Sequence, residues 1–205
     1  MLTLHLILQI AAICLDGEGV SVIKPALIAE AVGAAKLPVP VITRADEDFE
    51  KDGIQFVWGT KDLCIDELND LFQRVGFPRR DPGRLAAALV NTHRLIWVRA
   101  ARKSRMAKEG QLLGFARATS DGSLSATIWD VAVTPSWQKG GLGRAMVERL
   151  TASLVTEGIT IITLYAEPGV VGLYEKLGFV KDPEGVKGLA FQSNSKQAKT
   201  ALAAR

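Results

Sequence analysis

Cysteine and histidine are scarce in this chain: Cys14, Cys64, His5 and His93 are all it has in 205 residues. The cysteines have no metal-ligand spacing and are too few for a disulfide framework. The histidines cannot make a metal site unaided, so the sequence gives no metal. No Ser-His-Asp arrangement is suggested, and His93 reads as an ordinary residue at a strand entry. Charge of one sign is also lacking. A net charge of +3 is too weak to argue for a nucleic-acid partner, and none is expected. The apolar stretch at residues 1–15, MLTLHLILQIAAICL, is too short for a membrane span. No basic residues precede it, and Asp16-Gly17-Glu18 follows where a leader would have small residues. A gene-model artefact, a strand or helix packed on the domain and an atypical targeting sequence all stay open for this stretch. Nothing in the sequence sets an oligomeric state.

What is present is an ordinary globular composition, 48% apolar and 23% charged, at a length that suits one α/β domain with an extension. Residues 1–50 stand apart: Pro25, Pro38 and Pro40, an alanine-rich run, and the acidic cluster Asp46, Glu47, Asp48 and Glu50. They read as an N-terminal extension and linker, residues 51–192 as the domain, and residues 193–205 as a tail.

Periodicity orders the domain. Ile54 to Trp58 is a short β-rich run. Leu68, Leu71, Phe72 and Val75 mark one face of a helix, with Gly76 just beyond it. Asp81-Pro82 is a helix start. Strands follow at Leu95–Ala100, Leu112–Ala118 and Ala126–Val133, with an Asp121-Gly122 turn. Leu142, Met146, Leu150 and Leu154 form the stripe of a long helix. Ile159–Tyr165 reads as a strand buried on both faces. A helix from Glu167-Pro168 carries Val170, Leu173, Tyr174 and Leu177. Strand-like pieces at Phe179-Val180 and Leu189–Phe191 close the domain. The order is β, α, α, β, β, β, α, β, α, β. The crossover rule makes the strands flanking the long helix parallel, and the hairpins antiparallel.

The most informative stretch is VAVTPSWQKGGLGRAMVERL, Val131 to Leu150. Gln138, Gly141 and Gly143 form a Q-x-x-G-x-G loop that opens a helix. Such a loop turns backbone N–H groups toward one point at a helix N-terminus, a pyrophosphate cradle. A P-loop would need Lys-Ser or Lys-Thr where Arg144-Ala145 stands. A dinucleotide fingerprint would need a third glycine where Met146 stands. A glycine-rich loop that merely turns into a helix is the bland alternative.

The pattern of strand, Val-x-Pro, Gln-x-x-Gly-x-Gly and helix resembles the acetyl-CoA site of the GCN5-related N-acetyltransferase (GNAT) superfamily. Downstream, YAEPGVVGLYEKLGFV resembles the second half of that signature, with Leu173-Tyr174 and Gly178-Phe179 matching. Glu167 stands where the family often has Asn, and Val170 where it often has Ala. Phe77–Pro82, Ile128–Val131 and Asp182–Gly188 look like the plastid and cyanobacterial branch, which includes serotonin N-acetyltransferase and plant relatives acting on protein lysines, N-termini and arylalkylamines.

The resemblance implies the GNAT acyl-CoA N-acyltransferase fold, α/β (α+β), with a mixed central sheet of about six to seven strands and helices on both faces. It implies acetyl-CoA as co-substrate, an amine acceptor (protein or small molecule), and a plastid location, cytoplasm being the alternative. Val131, Ala132 and Val133 would align the pantetheine arm. Gln138, Lys139, Gly140, Gly141, Leu142, Gly143 and Arg144 would hold the pyrophosphate. Glu167, Pro168 and Gly169 would complete the cofactor site. Tyr174 would be the general acid, a phenol protonated at neutral pH. Asp130 and Glu167 are candidates for a base. Arg79 and Arg80, in the loop between the first two helices, would favour acidic neighbours in a protein substrate; an exposed basic turn is the alternative. A non-catalytic CoA-binding module that works through partner contacts remains the rival reading.

Overall fold

The computed structural model describes residues 39–188. Most of the 1–50 extension, the Leu189–Phe191 strand and the 193–205 tail lie outside the described residues. The elements run α1 (Asp46–Lys51), β1 (Ile54–Trp58), α2 (Ile65–Arg74), α3 (Pro82–Val90), β2 (Arg94–Ala100), β3 (Leu112–Ser120), β4 (Ser125–Val133), α4 (Leu142–Thr156), β5 (Ile161–Leu164) and α5 (Val171–Glu175). Single 3₁₀ turns lie at Pro135–Trp137, Pro168–Val170 and Pro183–Gly185.

The described strands form one sheet in sequence order, β1 to β5. The first four pair antiparallel as hairpins and neighbours. β4 and β5 pair parallel, joined by the α4 crossover. Alternation along β2 divides the core. Leu95 and Trp97 face a cluster built by Leu68, Leu71, Phe72, Leu85 and Leu89 of α2 and α3. Ile96 and Val98 face the cluster that includes Met146, Leu150 and Leu154 of α4. Helices therefore cover both faces, as expected. Asp81 caps α3 by accepting from the Arg84 amide at 2.8 Å, with Pro82 in the first helical position.

α4 buries Leu142, Met146, Leu150 and Leu154 to 2% exposure or less, each contributing about 2 kcal/mol of apolar burial. It lies close on β3, where a Cβ on Gly114 would come within 3.0 Å of Met146 Cε and 3.2 Å of the Ala132 carbonyl oxygen. That glycine is a packing requirement.

Several expectations change. The described sheet has five strands, and Phe179-Val180 is not one of them. β5 is shorter than the apolar run and is the edge of the described sheet, with Ile161 and Tyr165 exposed rather than buried. The last helix is shorter too: a 3₁₀ turn leaves Val170 exposed, and only Tyr174 of α5 is buried. The composition change near residue 50 is not a structural break. Phe49 of α1 is 1% exposed inside the α4-side cluster and meets Phe56 edge-on at 5.0 Å.

A candidate acetyl-transfer site at a forked sheet edge

β4 and β5 pair from Ser125–Ile161 to Ile128–Leu164 and no further. β4 continues to Val133, so beyond Ile128 its outer edge has no strand beside it among the described residues. Both strands run the same way, so the loops that follow them open on the same edge of the sheet. One is Thr134–Gly141, the other Tyr165–Val170. Crevices at the carboxyl ends of parallel strands are where α/β sheets take ligands.

A bulge sharpens the fork. Opposite β3 the register shifts between Phe115 and Arg117, so Asp130 and Val131 together face Ala116, and Asp130 takes a left-handed φ of 56°. The bulge brings Asp130 between two guanidinium groups, with Arg80 Nη2 and Arg117 Nε each donating at 2.6 Å. Burial alone pushes the Asp130 carboxyl up, but the hydrogen bonds and charges of Arg80 and Arg117 outweigh it and hold it below the usual carboxylate range. A carboxylate so stabilised is a weak proton acceptor, which counts against Asp130 as the base.

The loop after β4 keeps its donors unspent. The Trp137 amide donates to Thr134 O, the Gln138 amide to Pro135 O, and the Ala145 amide to Gly141 O. Between them, Lys139, Gly140, Gly141, Leu142, Gly143 and Arg144 have no internal acceptor for their amides among the described residues. These are the orphan donors that open α4. Gly141 sits in the N-cap position with φ +86°, and Lys139 is also left-handed at 63°. A Cβ on Gly140 or Gly143 would meet nothing nearer than 3.5 Å and 3.6 Å. The fold does not require glycine at these two positions, so their bare backbone leaves room for a ligand to approach. The cradle fits a diphosphate.

The side chains predicted for the site divide. Gln138 Nε2 donates to the Val133 carbonyl at 2.9 Å, bracing the loop against the free edge of β4. Strand geometry then puts the Val133 N–H on that same edge. Val131 and Val133 pack toward the α4-side cluster, whereas Ala132 is buried on the other face. Leu142 buries its side chain and offers only its amide. Arg144 Nε donates to Glu148 Oε1 at 2.9 Å, and Lys139 makes no ion pair among the described residues. Glu167, Pro168 and Gly169 are exposed at the mouth after β5.

Tyr174 is 8% exposed, within the cluster against which Val131 and Val133 pack, and its ring meets Phe179 edge-on at 6.0 Å. Its hydroxyl has no hydrogen-bond partner among the described residues. Burial raises the phenol above its usual value, so it stays protonated beyond neutral pH.

The basic pair of the α2–α3 loop is not free. Arg79 bridges Asp66 and Asp70 at 3.5 and 3.1 Å. Arg80 stacks on Phe72 at 4.5 Å and binds Asp130. Asn69, fully buried, clamps the same loop by donating to Arg80 O and accepting from Arg80 N, both at 3.0 Å. Sequence reasoning also missed an aromatic pair: Trp129 and Tyr165, the positions just past the last β4–β5 rung, lie 5.5 Å apart and are 37% and 63% exposed. Only the register of two parallel strands could have joined them. His93, as expected, serves structure: Nε2 contacts Glu157 at 2.6 Å.

A sheet forked between parallel strands, with a donor-rich turn on one side of the fork, is the architecture of the acetyltransferases. A GNAT family acetyltransferase from Streptococcus pneumoniae shares the fold with a TM-score of 0.55, over 69% of this chain and 99% of its own, at 20% identity. Residues 63–179 match the model of the Acetyltransferase (GNAT) family, and the chain belongs to that family. Within it the chain sits in a plastid branch. It is 46% identical to GCN5-related N-acetyltransferase 1, chloroplastic, of Arabidopsis thaliana over 74% of each protein. It is 46% identical to Serotonin N-acetyltransferase 2, chloroplastic, of Oryza sativa subsp. japonica over 66% of each. The chain is thus an acetyltransferase of a family that uses acetyl-CoA, and its resemblance to chloroplastic proteins supports a plastid location.

Proposed function

We propose that this enzyme acetylates an arylalkylamine by direct attack of the amine on acetyl-CoA in a ternary complex. The observation that carries the acceptor class is the exposed Trp129–Tyr165 pair at the base of the fork. Half-exposed rings there offer stacking to an aromatic amine. The 46% identity to a protein named serotonin N-acetyltransferase supports the same class.

In this reading the amides from Lys139 to Arg144 hold the diphosphate, with Lys139 and Arg144 adding charge. Gln138 acts by bracing the loop. The free β4 edge at Val131 and Val133 aligns the pantetheine arm, and Glu167, Pro168 and Gly169 flank it from the β5 side. The neutral amine forms a C–N bond to the thioester carbonyl, whose oxygen takes negative charge and is met by an N–H of that edge. The C–S bond then breaks, and the sulfur takes its proton from the Tyr174 hydroxyl. The ammonium proton goes to water, since Arg80 and Arg117 make the Asp130 carboxylate a weak base, and water returns a proton to the Tyr174 phenolate.

The test is thiol release from acetyl-CoA with serotonin, a lysine peptide and an N-terminal peptide in parallel, for the native protein and Tyr174→Phe. Serotonin should turn over best. Tyr174→Phe should bind CoA normally and lose at least about tenfold in kcat. Faster release with a peptide would overturn the acceptor class. CoA binding with no release on any amine would favour a non-catalytic binding module.

A further inference from the structure

Two successive buried charges on α4 face the segment that precedes the sheet. Glu148 is 3% exposed and Arg149 7%. Arg149 binds the Asp46 carboxylate, and it donates to Arg44 O at 2.9 Å and to Ala145 O at 3.1 Å. Glu148 Oε2 accepts from the Thr43 amide at 3.0 Å, and its Oε1 accepts from the Thr43 hydroxyl at 2.9 Å and from Arg144 Nε at 2.9 Å. The residues before β1 are therefore strapped to the helix whose first turn forms the phosphate cradle.

A carboxylate this buried must have its lone pairs satisfied. Thr43 supplies two donors and Arg144 one. Because Thr43 meets most of that demand, Arg144 is held through Nε alone, and neither of its Nη groups has a partner among the described residues. Beside this contact lies a cleft of about 220 Å³ whose walls include Val41, Thr43, Arg144, Glu148, Thr151 and Lys176. The Thr151 hydroxyl is sealed there without a hydrogen bond. The cleft thus has room for the guanidinium to turn inward toward Glu148.

We propose that Glu148 is a positioning residue for Arg144 and that Thr43 sets its grip, so that the segment before the sheet tunes affinity for the phosphate end of coenzyme A. This rests on the reading that Arg144 faces that phosphate. Without the Thr43 hydroxyl, Glu148 compensates by drawing Arg144 into a two-point contact. The guanidinium then leaves the cradle, although nothing in the cradle has changed.

The test is a double-mutant cycle on the full chain, with coenzyme A binding measured by calorimetry and steady-state kinetics alongside. Thr43→Val should weaken CoA binding about fivefold, the scale of one hydrogen bond. It should raise KM for acetyl-CoA and leave kcat alone. Arg144→Ala should weaken binding about tenfold. In the Arg144→Ala background Thr43→Val should add nothing. Thr43→Ser should restore native affinity, which guards against a variant that merely folds poorly. Native-like binding by Thr43→Val, or full additivity of the two changes, would overturn the proposal. A native protein that binds no coenzyme A would instead sink the proposed function itself, and this inference with it.

Discussion

The two loops that flank the sheet differ in what they do with their polar groups. The turn after β4 leaves consecutive amides from Lys139 to Arg144 without internal acceptors. The α2–α3 loop spends nearly everything it has: Arg79 on Asp66 and Asp70, Arg80 on Asp130 and Phe72, and its Arg80 backbone on Asn69. Unspent donors on a rigid helix end suit one charged group that recurs in every turnover. A self-satisfied loop suits a wall. Acceptor choice should therefore come less from the charge of this loop than from the aromatic surface it leaves beside the fork.

The largest effect should come from breaking the wall. Asp130→Asn removes the charge that two arginines share, with Arg117 only 15% and Arg80 32% exposed at their side chains. Removing one member of a buried ion cluster is costly, and partial exposure discounts it to about 2 kcal/mol of unfolding free energy, readable by urea denaturation. The effect should depend on pH. The folded-state pKa of Asp130 is lowered, so its contribution is fully present above the unfolded value. It is lost as pH falls through the folded value. The native protein and Asp130→Asn should therefore converge in stability in acid, below about pH 4. A constant gap down to the acid transition would mean that the arginines do not hold this carboxylate.

How much of this was legible in the sequence follows the range of the interactions. The α4 stripe, the Asp81 cap and the parallel β4–β5 pairing are local or topological, and periodicity, capping chemistry and the crossover rule read them in turn. The glycine-rich turn into α4 is legible because Gly141 sits at the helix N-cap with a left-handed backbone that favours glycine. The bulge was not: Asp130 adopts its left-handed backbone because β3 opposes one residue to two, and no neighbour in sequence announces that. Phe49 was hidden by its acidic company, since a lone aromatic makes no stripe. Glu148 and Arg149 look like surface charge until the strap that satisfies them is in place. The β5 run looked buried on both faces because an apolar stretch does not reveal whether its strand lies at an edge.

A second prediction separates the cradle from its scaffold. Gly143→Ala places a methyl group 3.6 Å from Val133 Cγ2, an ordinary contact. In the first turn of α4 it should raise thermal stability, by up to about 1 kcal/mol, through lower backbone entropy. The same methyl group should weaken coenzyme A binding about tenfold, because it stands where the ligand would approach. Gly141→Ala should lose on both counts, since φ +86° strains any other residue. If Gly143→Ala binds coenzyme A like the native protein, the orphan amides are not the ligand's seat.

The smallest effect is expected where the α2–α3 loop looks most inviting. Arg79 is the residue a sequence reader would assign to an acidic substrate, and its side chain is 47% exposed. Yet its partners are Asp66 and Asp70 of its own neighbouring helix, in exposed pairs that salt screens. Such pairs carry about 0.5 kcal/mol or less. Arg79→Ala should lower the unfolding free energy, read by urea denaturation, by no more than that and leave KM for any amine unchanged within about twofold. A large, salt-sensitive rise in KM for an acidic peptide, with serotonin unaffected, would show that Arg79 leaves its aspartates to meet the substrate. The loop would then be a recognition element that is merely satisfied while it waits, and its difference from the cradle would be one of timing rather than of role.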